Sequence, residues 1–147
     1  MAEFAYNPIQ LVEPSQNVIL NTVIPCNKGY VIHRDQSGII ILRGITNNCF
    51  ARYQVTMNAN IALPEDAAAV VPISVALAID GEPVQTSKAI YTPAAVDEYG
   101  NVTSTAIITV PKGCCFTVAV ENTSAAVAGV APEINIQNAN VTVSRIA

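Results

Sequence analysis

The side chains able to do chemistry in this chain are few. Four cysteines stand at Cys26, Cys49, Cys114 and Cys115, and the single histidine is His33. A thiolate activated by an imidazole is the nucleophilic arrangement that these residue types could build. It would require His33 beside one of four scattered cysteines, and a lone histidine in a hairpin is far more often a surface or hydrogen-bonded residue. Two carboxylate pairs, Glu65-Asp66 and Asp97-Glu98, could support acid–base chemistry. Both fall in expected loops next to proline or glycine, where solvated charges belong, and neither has the spacing of a calcium loop. With no C-x-x-C pair and one histidine, a zinc site lacks its usual ligand spacing. The expectation is therefore no enzyme: no catalytic residue, no metal and no cofactor.

The thiols are expected to be buried and free, acting as small hydrophobes. A disulfide between Cys26 and Cys49 stays open, because sequence does not give the distance between them. Adjacent Cys114 and Cys115 should point to opposite faces of a strand, which argues against a shared role. Sequons at Asn101, Asn122 and Asn140 carry little weight without an export signal.

The elements that must hold these residues follow from composition. The chain has 147 residues, the size of one ordinary domain, with 51% apolar and 12% charged residues. Val, Ile and Thr number 18, 17 and 11, against only 5 Leu. Branched Cβ atoms stiffen χ1 and suit pleated surfaces better than helices, so the domain is expected to be all-β. The 3 Lys and 4 Arg are scattered singly, which leaves no basic stripe for nucleic acid. No apolar run approaches the length needed to cross a bilayer as a helix, so no membrane insertion is expected. The first residues lack the basic and apolar regions of a signal peptide, so export would need another route, such as host lysis.

Residues 1–29 read as an irregular N-terminal arm and a first strand. Phe4, Tyr6, Ile9 and Leu11 are separated by Pro8 and followed by Pro14, too broken for a helix. The stretch reads either as a flexible arm or as one ordered by packing on something else, with these four as its candidate anchoring residues in the second, favoured reading. Val18 to Ile24 is a plausible first strand. Residues 30–147 read as hairpins. Tyr30–His33 and Ile39–Arg43 flank a polar loop. Cys49 to Ile61 alternates at length, with Ala51, Tyr53, Val55 and Met57 on one face and Arg52, Gln54 and Thr56 on the other. Asp80-Gly81 is the strongest tight-turn signal, after the run Ile73, Val75, Leu77, Ile79. Further strands are expected at Thr103–Val110 and Cys114–Glu121, joined by Pro111-Lys112-Gly113, and at Asn138–Ile146. About eight to ten antiparallel strands suggest a sandwich, with a jelly roll the natural candidate.

Several strands are apolar on both faces, and exposed apolar surface of that extent usually marks an interface. Phe50, Ile107 and Ile146 are the candidate positions for it.

Certain segments resemble a known group. They include Asn60-Ile61-Ala62-Leu63-Pro64, Pro72 to Gly81, Thr92-Pro93-Ala94-Ala95-Val96 and Val110 to Cys115, with Val120 to Ser124 and Asn138 to Val141. Together they look like a bacterial and phage group of tumour-necrosis-factor-like jelly rolls, over about residues 30 to 147. The resemblance implies a homotrimer packed through one sheet, with Phe50, Ile107 and Ile146 as trimer-interface candidates. Its stalked members carry Gly-X-Y repeats, absent here, and a short arm instead suits a cap seated on a protein lattice. The expected function is thus a bacteriophage capsid decoration or head-fibre protein, located on the virion and bound to the major capsid protein lattice. A receptor- or glycan-binding module at a bacterial cell or spore surface, with a host-surface glycan as partner, is the alternative.

Overall fold

The computed structural model describes residues 2–24, 29–34, 36–67, 69–126 and 129–147. The N-terminal strands are β1 (Ala2–Tyr6), β2 (Gln10–Val12) and β3 (Thr22–Ile24). The hairpin strands β4 (Val31–His33) and β5 (Ile40–Arg43) follow, then the long β6 (Phe50–Ala62) and β7 (Ile73–Ile79). Short β8 (Glu82–Pro83) and β9 (Ala89–Tyr91) flank a 3-10 turn at Gln85–Ser87. The chain closes with β10 (Gly100–Pro111), β11 (Cys115–Asn122) and β12 (Ile134–Arg145). One antiparallel sheet runs β10-β6-β12-β1-β3, with β2 also on β12. The other runs β4-β5-β11-β7-β8, with β9 also on β7. The expected all-β jelly-roll sandwich is the architecture.

Strand β6 shows why. Its alternate residues Tyr53, Val55 and Ile61 are completely buried, while Arg52 and Gln54 between them are exposed. The inward face meets Leu42, Leu77 and Val120 of the second sheet in one core. Each such buried side chain contributes roughly 1.5–3 kcal/mol relative to exposure. At the Asp80-Gly81 turn both residues have positive φ, 51° and 85°, as a two-residue hairpin between paired Ile79 and Glu82 requires. The Asp80 carboxylate then accepts from the Thr117 amide at 2.9 Å and the Thr117 hydroxyl at 3.0 Å.

Three expectations change. The Pro111-Lys112-Gly113 link is not a hairpin: β10 and β11 belong to different sheets, so this turn carries the chain across the sandwich. Within 18–24, only Thr22–Ile24 pairs in a ladder, although Val18 and Leu20 are fully buried. The largest change concerns the arm. Strand β1 lies inside the first sheet between β12 and β3, with Phe4 opposite Val141 on one side and Val23 on the other. Phe4 is 1% exposed and stacks on His33 with ring centroids 5.1 Å apart. The irregular character is confined to the linkers between these short strands. A boundary near residue 29 therefore does not separate two packing units, because Ala2, Phe4, Val12, Val18 and Leu20 share the jelly-roll core.

Strand β7 is buried on both faces, since Ser74, Ala76 and Ala78 at its outward positions are as enclosed as Ile73, Val75 and Leu77. Beside them Glu121, paired with Ala76, is also buried. Burial, and then the charge of Glu82, push its carboxyl above the usual carboxylate range.

Candidate functional site

The residues with catalytic potential do not converge. His33 pairs with Ile40 at one end of β5, whereas Cys115 pairs with Arg43 at the other. The His33 Nε2–H donates to the Ser37 carbonyl at 2.7 Å, which leaves Nδ1 buried without a partner. Cys49, Cys114 and Cys115 are free and exposed, so the expected burial of these thiols is corrected. All three lie in or beside the turns where the chain crosses between sheets rather than at inward strand positions. Cys26, and with it the question of a Cys26–Cys49 disulfide, lies outside the described residues. Glu65, Asp66, Asp97 and Glu98 are exposed loop residues. Close by, the Tyr99 hydroxyl is buried without a partner, and burial, followed by the Asp97 charge, raises its pKa. Among the described residues no group of three or more His, Cys, Asp or Glu is placed to hold a metal ion.

A surface, not a cleft, gathers the candidates. The ladder between β6 and β10 runs from Gly100 opposite Ile61 to Pro111 opposite Phe50. On the other side of β6, β12 pairs Thr142 with Thr56, Ser144 with Gln54 and Arg145 with Tyr53. Period-2 alternation then turns Phe50, Arg52, Gln54, Thr56, Asn58 and Asn60 of β6 outward together. Beside them lie Thr103, Thr105, Ile107 and Thr109 of β10. Thr142, Ser144 and the following Ile146 flank them on β12. Ile146 continues the ladder, its amide donating to the Arg52 carbonyl at 2.9 Å. Phe50, Ile107 and Ile146 are thereby brought to one face, 38%, 64% and 48% exposed.

The face has two halves. At the Phe50 end the Arg52 guanidinium lies over the Phe50 ring, 4.7 Å from its centroid. It is the only charged residue at the outward positions of β6, β10 and β12 named above. At the far end the surface is a network of neutral polar groups. The Asn101 amide donates to Asn58 Oδ1 at 2.8 Å and to Asn60 Oδ1 at 3.1 Å. The Thr103 hydroxyl donates to the same Asn58 oxygen at 2.9 Å, and the Thr56 and Thr105 hydroxyls bond at 3.1 Å. This network was legible only in part. Thr and Asn at alternate positions announced a half-polar strand, but the pairing of β6 with β10 that joins them is a long-range register.

The four arm candidates separate. Phe4 belongs to the chain's own core and offers nothing to a lattice. Tyr6 is half-buried opposite Ala139. Ile9 and Leu11 are 56% and 55% exposed, and they alone present large apolar side chains outward.

No family model matches the chain, and no curated protein matches it by sequence. Solved structures do. The globular domain of zebrafish complement 1qA protein is 14% identical and superimposes with a TM-score of 0.59, covering 96% of this chain and 94% of that one. Eiger TNF from S. frugiperda is 11% identical with a TM-score of 0.66, covering 100% and 92%. Murine APRIL at pH 5.0 is 10% identical with a TM-score of 0.53, covering 92% and 98%. What these proteins share with this chain is the fold, a jelly roll of the tumour-necrosis-factor and C1q type.

Proposed function

We propose that this chain is a non-enzymatic structural protein, a homotrimer that decorates a bacteriophage capsid. The observation that carries the reading is the long outward face of β6, β10 and β12, which bears one charge and three exposed large apolar side chains. Water-facing sheet surfaces normally carry charges, whereas the centres of protein interfaces are depleted in them. A second copy of the same face supplies matching chemistry: hydroxyls and amides for the Asn/Thr half, apolar contact for Phe50, Ile107 and Ile146. The sequence resemblance over residues 30 to 147 adds the threefold assembly and the virion setting. Ile9 and Leu11 give each subunit an apolar contact for the capsid lattice, and three such contacts on one trimer act together.

The lattice contact is tested by substitution rather than by deletion, since removing β1 would take Phe4 out of the core. Ile9→Asp combined with Leu11→Asp should leave the trimer mass unchanged in light scattering. The same variant should lose co-sedimentation with empty capsids of the virus that encodes the chain. Unchanged co-sedimentation would overturn the role of these two residues and move the contact to the jelly-roll body.

A further inference from the structure

Two groups of loops at opposite ends of the sandwich differ in charge, although the Asp80-Gly81-Glu82 turn after β7 adds carboxylates on the basic side. At one end, residues 63–72, 92–99 and 123–133 hold Glu65, Asp66, Asp97, Glu98 and Glu133 and no lysine or arginine. These segments adjoin through the bond from the Asp97 amide to the Leu63 carbonyl and the pairing of Asn135 with Ala62. At the other end, residues 44–49, 111–114 and 145–147 contain no Asp or Glu, and Arg43, Arg52, Lys112 and Arg145 gather around them. Main-chain bonds tie these segments together: Gly44 to Cys114, Lys112 to Cys49 and Arg52 to Ala147.

A cavity of about 380 Å³ opens at the basic end, lined by Tyr30, Ile45, Thr46, Asn47, Asn48 and Arg145. Its walls are built. A Cβ at position 44 would stand 2.1 Å from the Pro111 carbonyl oxygen, so only glycine lets the 44–49 loop start this close to the crossover turn. The Thr46 hydroxyl accepts from the Asn48 amide at 3.1 Å. The Tyr30 carbonyl accepts from the Arg43 amide at 2.9 Å and the Tyr53 hydroxyl at 3.3 Å. On the Tyr30 ring lies the Arg145 guanidinium, 4.2 Å from the centroid. Its Nε donates to the Ala147 main-chain oxygen at 3.1 Å, while Nη1 is buried with no hydrogen-bond partner. A buried donor left unpaired is costly, and among the described residues that line the cavity none is Asp or Glu.

We propose that this cavity binds a compact hydroxylated carboxylate, a uronic acid sugar, with Arg145 taking the carboxylate and Thr46, Asn47 and Asn48 the hydroxyls. A guanidinium meets a carboxylate through charge-assisted hydrogen bonds, and the stack on Tyr30 holds it in place. The cations around the cavity attract an anion. A lining of amides and hydroxyls suits a sugar ring better than an apolar ligand, and the volume falls within the ~300–1,000 Å³ of small-molecule sites. The proposal does not depend on the capsid reading.

The test is a titration of the full chain with D-glucuronate, followed by amide chemical shifts, with parallel titrations of D-glucose and inorganic phosphate. Glucuronate should shift the amides of residues 30, 45–48 and 145, and glucose should bind at least about tenfold more weakly. Arg145→Lys keeps the charge but loses the planar stack on Tyr30, and should weaken glucuronate binding about tenfold. Asn48→Ala, at an exposed loop position, should weaken it without disturbing the rest of the spectrum, which keeps the test decisive if the arginine variant misfolds. No response to millimolar glucuronate, an equal response to glucose, or phosphate binding as tight as glucuronate would each overturn the proposal.

Discussion

The outer faces of the two sheets solve the problem of facing outward in opposite ways. On the first sheet, β6, β10 and β12 turn out a row of Thr and Asn with Phe50, Ile107 and Ile146, and Arg52 is the one charge. On the second, β7 and β11 turn out Ser74, Ala76, Ala78 and Ala119, all buried, and Asp80, Glu82, Lys88 and Glu121 lie among or around them. The second sheet also ends on the two-residue strand β8, which contains Pro83, a short edge that discourages pairing with another chain. The centre of the second face is thus already covered by the chain itself, with charges and a blunt edge around it. The first face is poor in charge, with Arg52 on β6 and Glu3 of β1 beside Thr142, which leaves its β6, β10 and β12 part suited to a copy of itself.

Two isoleucines allow the comparison to be broken directly. Ile107 on the first sheet and Ile90 on the second are each 64% exposed, so neither substitution should harm the fold. Ile107→Glu would bury an unpaired charge at each subunit contact, costing about 3–5 kcal/mol, and should give monomers in light scattering at micromolar concentration. Ile90→Glu should leave the assembly unchanged. Monomers from Ile90→Glu, with trimers from Ile107→Glu, would assign the interface to the wrong sheet.

Next in size is the contrast within the N-terminal segment. Phe4→Ala should lower unfolding stability by about 3–5 kcal/mol in a denaturant titration, as for other large buried aromatic side chains. Leu11→Ala, at an exposed position, should change it by no more than about 0.5 kcal/mol. Equal effects would mean that β1 is not part of the core.

That contrast also marks how far the sequence could be read. Alternation in residues 49 to 61 and the Asp80-Gly81 turn named a long half-polar strand and a tight hairpin, because both signals are local. Val, Ile and Thr content gave the all-β class for the same reason. Phe4 was misplaced because its partners, Val141 and His33, are distant in the chain, and no local pattern announces a strand inserted beside β12. The hairpin expected across Pro111-Lys112-Gly113 failed likewise: a short turn between two strands does not say which sheet the second one joins. Phe50, Ile107 and Ile146 were legible as apolar residues at outward positions, but their meeting on one face depends on the β10-β6-β12 register. Arg145 and its cavity are not legible in the sequence, since a single arginine carries no motif.

A smaller effect probes the second sheet. Glu121 has a carboxyl raised above its ordinary value by burial and by Glu82. The folded state therefore holds that proton more tightly than the unfolded chain. Its contribution to stability is favourable at low pH and is lost as pH rises from the ordinary carboxylate pKa through the raised one. Glu121→Gln should accordingly stabilise the protein at neutral pH and flatten its stability profile across that window, read from thermal midpoints at a series of pH values. A steeper profile, or destabilisation at neutral pH, would show that the carboxylate is favourably held. The smallest expected change is Thr56→Val, which removes one cross-strand hydroxyl pair with Thr105 and should cost roughly 0.2–1 kcal/mol.

The central claim is that the charge-poor face formed by β6, β10 and β12 joins copies of this chain. Sedimentation equilibrium of the unmodified protein at micromolar concentration tests it most directly. A single species of three times the chain mass, dissociated by Ile107→Glu and not by Ile90→Glu, is the expected result. A stable monomer at that concentration would contradict the claim.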